Sequence, residues 1–165
     1  MSDVCRCFAP VADEGCRILI LGSMPGERSL ELQQYYGHKN NRFWRLMAEV
    51  YNNGVVPEDY EERKKMLLRN EIALWDVIAY CRREGSLDSA IRSEKYNDLR
   101  EFLTKHPKIK RICCNGGKAY SALQKYCREH ELQNIEILAM PSTSPANARW
   151  NFEKLKEKWL PPLLN

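Results

Sequence analysis

The chain has 165 residues, 29% of them charged and 44% hydrophobic, an ordinary composition for one globular domain spanning residues 1–165. The net charge of +4 permits an anionic partner without requiring one. No apolar run approaches the ~18 residues of a membrane span, and the N-terminus lacks a signal-peptide core. These features exclude a membrane partner and predict a soluble cytoplasmic monomer.

The seven cysteines do not form the pattern of a secreted disulfide framework, because their number is odd and Cys113 and Cys114 are adjacent in a predicted strand. Cys5, Cys7 and Cys16 offer three potential metal ligands, but no fourth follows at motif spacing. The sequence therefore predicts reduced, mostly buried thiols and no metal centre.

Strand and helix signals alternate along the chain after a polar lead-in at residues 1–15. In chain order they are a strand at 17–21, helices at 41–51 and 58–68, a strand at 72–78, a helix at 96–104, a strand at 110–114, a helix at 118–129, a strand at 135–140 and a helix at 150–159. The alternation predicts a three-layer α/β/α sandwich around a central four-stranded, mostly parallel sheet.

Each of the four predicted strands is followed by residues that are not typical of a hydrophobic core. In such sheets, ligands bind at the carboxyl ends of the strands. Here those ends read GSMPG at 22–26, WD at 75–76, NGGK at 115–118 and MPSTSP at 140–145. The sequence therefore predicts that the functional site lies at this edge of the sheet.

Each residue at this edge also has a plain structural explanation. The turn with Gly22 and Gly26 lets backbone amides approach a ligand, but it also fits an ordinary strand-to-helix connection. Tyr36 can stack on a planar ring or simply pack, and either asparagine of the pair at 40–41 can cap the next helix. Asp76 is harder to explain by structure, because a carboxylate at the end of an apolar strand needs partners or a ligand.

The order of short motifs resembles the uracil-DNA glycosylase superfamily, and more closely its hypoxanthine-DNA glycosylase branch, family 6. The resemblance spans about residues 8–160. Its motifs are LGSMPG at 21–26, QYYGH at 34–38, NRFW at 41–44, LWDV at 74–77, GSLDS at 85–89, NGGKA at 115–119 and PSTSPANA at 141–148.

This resemblance implies a repair enzyme that flips a deaminated base out of DNA and hydrolyses its N-glycosidic bond, without a cofactor. Met24 stands where most of the superfamily carries a catalytic Asn or Asp, and a thioether cannot orient water. In the branch that the chain resembles, an asparagine of the NxFW segment takes that role, which maps to Asn41, with Asn40 as its neighbour. For a reaction of this kind we expect His38 to stabilise the leaving base, Tyr36 to stack on it, and Asp76 to accept the N1–H that distinguishes hypoxanthine from adenine.

The resemblance thus implies three groups of site residues. The catalytic group is Asn41, His38 and Asn40. The base pocket is formed by Gly22, Ser23, Met24, Pro25, Gly26, Tyr36, Phe43 and Asp76. Damaged DNA is bound by Asn115, Gly116, Lys118, Pro141, Ser142, Thr143, Ser144, Pro145 and Asn147.

Three other functions fit parts of this pattern. A mismatch-specific uracil or thymine glycosylase has the same fold, but Met24 argues against it. A non-catalytic nucleic-acid-binding domain and a lyase that forms a Schiff base on Lys39 or Lys118 are the others. The last loop lacks a large apolar wedge near Ser144, so base extrusion is expected to depend on a weakly paired lesion.

Overall fold

A computed structural model describes residues 4–165 of the chain. Its elements in chain order are β1 (Val4–Arg6), β2 (Ile18–Gly22), α1 (Glu27–Leu32), α2 (Phe43–Tyr51), α3 (Tyr60–Arg69), β3 (Ile72–Asp76), β4 (Ile78–Arg82), a 3-10 turn (Asp88–Ala90), β5 (Arg92–Tyr96), α4 (Leu99–Lys105), β6 (Arg111–Asn115), α5 (Gly117–Glu129), β7 (Glu136–Met140) and α6 (Phe152–Leu164).

The central sheet has four parallel strands in the order β3-β2-β6-β7. Parallel pairing brings the carboxyl ends of all four strands to one edge, with Gly22 opposite Asp76 and Asn115 opposite Met140. The predicted fold class is therefore confirmed, and so is the convergence of the four loops.

Helices cover both faces of this sheet, because each strand sends alternate side chains to opposite sides. On one face, Leu19 and Leu21 pack among residues of α4 and α5. On the other face, Ile20 packs among residues of α2, α3 and α6, including the fully buried Trp159. The result is the predicted three-layer sandwich.

Side-chain caps fix where three of these helices begin. Asp59 accepts a hydrogen bond from the backbone N–H of the second residue of α3. Asp98 and Asn151 accept in the same way at the starts of α4 and α6. Such caps satisfy N–H groups that have no partner inside the helix.

A second sheet was not predicted from the sequence. The strand predicted at 72–78 divides at Val77, whose N–H donates to Gly22 and whose carbonyl accepts from Asn97. Beyond this point β4 pairs in antiparallel fashion with β1 and β5. β1 lies in the predicted polar lead-in, of which residues 1–3 are outside the described part of the chain.

Three helices also differ from the prediction. The short helix α1 was missed, and α4 begins at Leu99 because β5 occupies the chain up to Tyr96. The last helix continues through Pro161 and Pro162, where the sequence predicts its end. Tertiary contacts hold that turn, because Leu163 is buried and its carbonyl accepts from Tyr51. Within residues 4–165, no helix has the length and apolar character needed to cross a membrane.

Candidate active site

The loops at the carboxyl ends of the strands enclose a cavity of about 840 Å³, inside the range of about 300–1,000 Å³ that is usual for small-molecule sites. Sixteen of the predicted site residues line it: Gly22, Ser23, Met24, Pro25, Gly26, Tyr36, His38, Asn41, Asp76, Asn115, Pro141, Ser142, Thr143, Ser144, Pro145 and Asn147. Four predicted residues, Asn40, Phe43, Gly116 and Lys118, are absent from this lining.

Gly22 leaves room in the cavity wall because glycine has no side chain. A Cβ at this position would lie 2.5 Å from Asp76 Oδ1 and 3.0 Å from the Tyr36 hydroxyl. The first distance is shorter than real Cβ contacts show and the second is tighter than most of them, so a side chain here would displace the Asp76 carboxylate and crowd the Tyr36 phenol.

Asp76 is the most unusual group in the cavity. Its side chain is 4% exposed, and Oδ2 is buried without a hydrogen-bond partner among residues 4–165. Burial and, secondarily, the charge of Asp88 raise its pKa to about 7, while Arg83 acts in the opposite direction. A buried carboxylate without a partner is costly, so this oxygen is suited to accept a hydrogen bond from a ligand.

Tyr36 stands beside it, with its backbone in the left-handed region at φ 53°. Its hydroxyl accepts from Asn115 Nδ2 at 3.1 Å, and burial raises its pKa well above the ordinary value. The ring stacks on Phe43 at a centroid distance of 4.1 Å. Phe43 is fully buried and does not line the cavity itself; it packs behind the ring of Tyr36.

A chain of hydrogen bonds joins three loops and ends at Asn41. The backbone N–H of Thr143 donates to Asn115 Oδ1, and Asn115 Nδ2 donates to the Thr143 hydroxyl at 3.0 Å. That hydroxyl donates to Asn41 Oδ1 at 2.9 Å. The N–H of Phe43, the first residue of α2, donates to the same oxygen at 3.0 Å. Because both neighbours are donors, this end of the Asn41 amide is assigned as the oxygen.

This chain changes the expected role of Thr143. Its side chain is fully buried, and its hydroxyl and its backbone N–H are both engaged within the protein, so the structure gives the predicted contact with DNA phosphate no support. Thr143 instead orients Asn41, whose amide nitrogen has no partner among residues 4–165. The amide therefore faces the cavity region with a fixed plane and spare donors.

His38 and Asn40 are exposed at the edge of the site. The backbone N–H of Asn40 donates to His38 Nδ1 at 3.1 Å. A ring nitrogen that accepts carries no proton, so a neutral His38 has its proton on Nε2. His38 lines the cavity, whereas Asn40 and Lys39 do not, so the geometry favours Asn41 over Asn40 beside a bound base.

Arg42 was missed by the sequence analysis, although it holds the last loop in place. Its guanidinium donates to the carbonyls of Thr143, Ser144, Asn147 and Trp150. Burial lowers its pKa. An arginine next to a catalytic motif gives no sequence signal that it points inward, so only the structure identifies this clamp.

Hydroxyl groups of the last loop also shape the loop itself. Ser142 Oγ accepts from the N–H of Ser144, and Ser144 Oγ accepts from the N–H of Ala146. Asn147 Nδ2 donates to the carbonyl of Ser142 at 3.0 Å. A serine hydroxyl that accepts one bond still has its proton to donate, so both serines remain able to bind an anionic oxygen.

Lys118 is not available for phosphate in this structure. Its ammonium lies 3.1 Å from Glu94 Oε2, and both side chains are largely buried. Gly116, at φ 98°, packs against Ser142 and lies behind the cavity wall. The sequence could not show either contact, because Glu94 belongs to the unpredicted strand β5.

The segment between β4 and β5 forms a wall that the sequence analysis did not assign. Ser86, Leu87, Asp88 and Ser89 all line the cavity. Ser23 Oγ donates to Asp88 Oδ1 at 2.5 Å, and the N–H of Glu27 donates to Ser86 Oγ at 2.8 Å. These bonds fasten the segment to the first loop. The GSLDS motif at 85–89 was the available signal, but sequence alone gave it no role.

The described residues contain no metal-binding cluster: within 4–165, no three His, Cys, Asp or Glu side chains are grouped to hold an ion. Burial raises the pKa of the Cys113 and Cys114 thiols to about 12, so both stay protonated.

Comparisons with known proteins identify the family of this chain. A model of the uracil DNA glycosylase superfamily matches residues 9–164. The chain is 40% identical over 154 residues to a protein of Methanosarcina acetivorans named hypoxanthine DNA glycosylase, covering 92% of this chain and 94% of that one. A protein of the same name from Methanosarcina barkeri is 41% identical over 152 residues, covering 92% and 93%.

A solved structure gives the same answer for the fold. It is the solution NMR structure of a Methanosarcina acetivorans protein provisionally described as a uracil DNA glycosylase, with a TM-score of 0.82 and 37% identity over 98% of this chain and 99% of that one. The family match covers nearly the whole chain, and the two named relatives are 40% and 41% identical to it over 92% of its length. The chain belongs to the uracil DNA glycosylase superfamily.

Proposed function

We propose that this protein is a DNA glycosylase that hydrolyses deoxyinosine in damaged DNA and releases hypoxanthine, acting as a monomer without a metal or organic cofactor. The names of its relatives support this substrate. The same proposal includes its place of action, in the cytoplasm and, in a prokaryote, at the nucleoid.

The observation that carries the proposal is the unpartnered, buried oxygen of Asp76 in the cavity. The N1–H of a flipped hypoxanthine supplies the missing donor. Adenine has an unprotonated N1, which repels an ionised carboxylate. The backbone N–H of Met24, which has no acceptor among residues 4–165, donates to O6 of hypoxanthine.

The base must first leave the helix stack, which costs a few kcal/mol and is cheapest when it is mispaired. Tyr36 rests on Phe43 with one face of its ring. We propose that its other face stacks on the flipped base, which contributes roughly 1–3 kcal/mol by analogy with base–aromatic stacking.

Asn41 holds the attacking water against C1′ of the sugar. An amide cannot deprotonate water at neutral pH, so its contribution is positioning while the sugar develops oxocarbenium character. The bonds from Phe43 and Thr143 keep the amide from rotating and occupy its oxygen, so its free Nδ2–H group donates to the oxygen of the water and leaves that oxygen's second lone pair for C1′. His38, protonated on Nε2, donates to the departing base as negative charge develops on it.

An oligonucleotide panel tests the proposed function. Duplexes carrying inosine, uracil, xanthine or ethenoadenine are incubated with the protein in EDTA, and abasic sites are revealed by alkali. Inosine should be processed fastest. Preferential cleavage at uracil would support the mismatch-specific alternative, and borohydride trapping of the protein on DNA would support a lyase.

A further inference from the structure

One face of the small sheet carries an unusual set of side chains. Cross-strand pairing places Arg6 opposite Tyr80, Tyr80 opposite Lys95, and Arg82 opposite Arg92. Directly opposed residues share a face of a sheet, and all five of these side chains are exposed. The opposite face is buried, with Cys81 in the core. The outward face, which we call the basic face, therefore presents four cations around one tyrosine.

In the part of the chain that the structure describes, no ion pair neutralises a cation of the basic face. None of the ion pairs among residues 4–165 includes its four cations. Glu94, which lies on the same strand as Lys95, is instead bound by Lys118 and Lys125. Like charges directly opposite each other destabilise a sheet, so the Arg82–Arg92 pair is unfavourable until an anion lies between or beside them.

The position of the basic face connects it to the cavity. β4 ends at Arg82 and β5 begins at Arg92, so this pair flanks the Ser86–Ser89 segment that forms the cavity wall. Arg92 Nη1 donates to the carbonyl of Ser89 at 2.7 Å, which ties the strand to the wall. DNA with one nucleotide in the cavity must continue past its rim, and the hairpin is part of that rim.

We propose that the basic face binds the phosphate backbone of the duplex that flanks the lesion. This proposal rests on the proposed function for its partner, DNA, but not for the identity of the excised base. It supplies the cationic contacts that Lys118 cannot make, and it accounts for an otherwise unfavourable pair of arginines.

Salt-dependent binding of an undamaged duplex of about 20 base pairs tests this proposal. Each lost phosphate contact lowers the slope of log affinity against log salt by about 0.9. The double variant Arg82→Gln/Arg92→Gln should therefore lose about 1.8 from the slope and bind roughly tenfold or more weakly near 0.1 M salt. The matched control is Arg69→Gln/Arg128→Gln, which removes two exposed charges at the ends of α3 and α5.

Equal slopes for the two double variants would overturn the proposal, as would failure of the wild type to bind duplex DNA. If the double variant does not fold, Lys95→Gln on the same face should still lower the slope by about 0.9. This assay uses undamaged DNA. Equal slopes together with normal cleavage of inosine would therefore reject the role of the basic face and leave the proposed glycosylase function in place.

A second inference concerns Leu87, whose side chain is 59% exposed on the cavity rim. Its neighbours on both sides are fastened: Ser86 accepts from Glu27, and Asp88 accepts from Ser23. The leucine is therefore held in a defined position at the edge of the site, whereas the exposed tip of the last loop, at Pro145 and Ala146, has no large apolar side chain.

We infer that Leu87 enters the base stack beside the flipped nucleotide and supports the opened duplex. This inference also rests on the proposed glycosylase function. Its contribution should be largest for a well-paired lesion, because an apolar side chain in the gap compensates for lost stacking.

The test compares Leu87→Ala with Leu164→Ala, which removes a leucine of the same 59% exposure at the end of α6. Single-turnover rates are measured on the lesion opposite cytosine and in single strands. Leu87→Ala should be slower by roughly tenfold on the duplex and unchanged within about twofold on the single strand, since only the duplex requires unstacking.

An equal loss on both substrates, or no loss on either, would overturn the role of Leu87. The ratio of the duplex rate to the single-strand rate is measured with a lesion base that the wild-type protein releases, whether or not that base is hypoxanthine. Failure on inosine alone therefore counts against the proposed substrate and not against Leu87, whereas release of no base would overturn both.

Discussion

Replacing Asp76 with Asn removes the charge from a buried site while keeping the shape of the side chain. The folded protein raises the pKa of this carboxyl from 3.8 to about 7, chiefly through burial. At about 1.4 kcal/mol for each pH unit, this corresponds to a penalty of about 4 kcal/mol for keeping Asp76 ionised. Asp76→Asn avoids that penalty, so we expect the free protein to become more stable at alkaline pH.

The sign of the effect sets its pH range. Because the folded state holds the proton more tightly than the unfolded state, this group favours folding below about pH 4, and that contribution is lost as the pH rises to about 7. The difference between variant and wild type should thus be near zero at pH 4 and maximal above pH 7. For a chain of this length, about 2–4 °C in Tm per kcal/mol gives an increase on the order of 10 °C as an upper limit.

Thermal denaturation of wild type and Asp76→Asn between pH 4 and pH 8.5 measures this difference. Asp59→Asn is the matched control, since Asp59 is an exposed helix cap and Asn caps equally well. A Tm difference that does not change with pH, or a variant that is less stable than wild type at pH 8, would refute the reasoning. The stabilised variant should nevertheless lose hypoxanthine release, and the wild-type rate should rise with pH through about 7 as Asp76 ionises.

Three further predictions concern the reaction. Asn41→Ala should lower the single-turnover rate by about 10²-fold with little change in DNA affinity, and Asn40→Ala should have a small effect. A larger rate loss for Asn40→Ala than for Asn41→Ala would assign the water-holding role to Asn40. Gly22→Ala should abolish most activity because its Cβ would displace Asp76, whereas Gly117→Ala, with open space around its Cβ, should be active; equal effects would contradict the crowding argument. Excision of inosine opposite a mismatched base, or in single strands, should match or exceed that opposite cytosine, and fastest cleavage opposite cytosine would contradict the expectation that base extrusion depends on a weakly paired lesion.

The central sheet could be predicted because each of its strands is a short apolar run followed by turn residues. The β4–β5 hairpin could not, because β5 reads RSEKY, which contains no apolar alternation, and its pairing with β4 is irregular. The continuation of α6 through Pro161 and Pro162 depends on buried contacts of Leu163, and no local rule of the sequence contains them.

Much of the site could be predicted because its motifs follow the strands directly. Contacts that depend on a partner far away in the sequence could not be predicted. Lys118 is neutralised by Glu94, Thr143 is turned inward by Asn115, and Arg42 is drawn across the last loop by four carbonyls. In each case the residue type suits two environments, and the fold decides between them.

Identification of the base that the wild-type protein releases from deoxyinosine-containing DNA in EDTA tests the proposed function most directly. Mass spectrometry should detect free hypoxanthine, in an amount equal to the abasic sites formed, with slower release of uracil from a matched duplex. Faster release of uracil would contradict the assignment of Asp76 to hypoxanthine, and activity that vanishes in chelator and returns with zinc would contradict hydrolysis by an Asn41-held water alone.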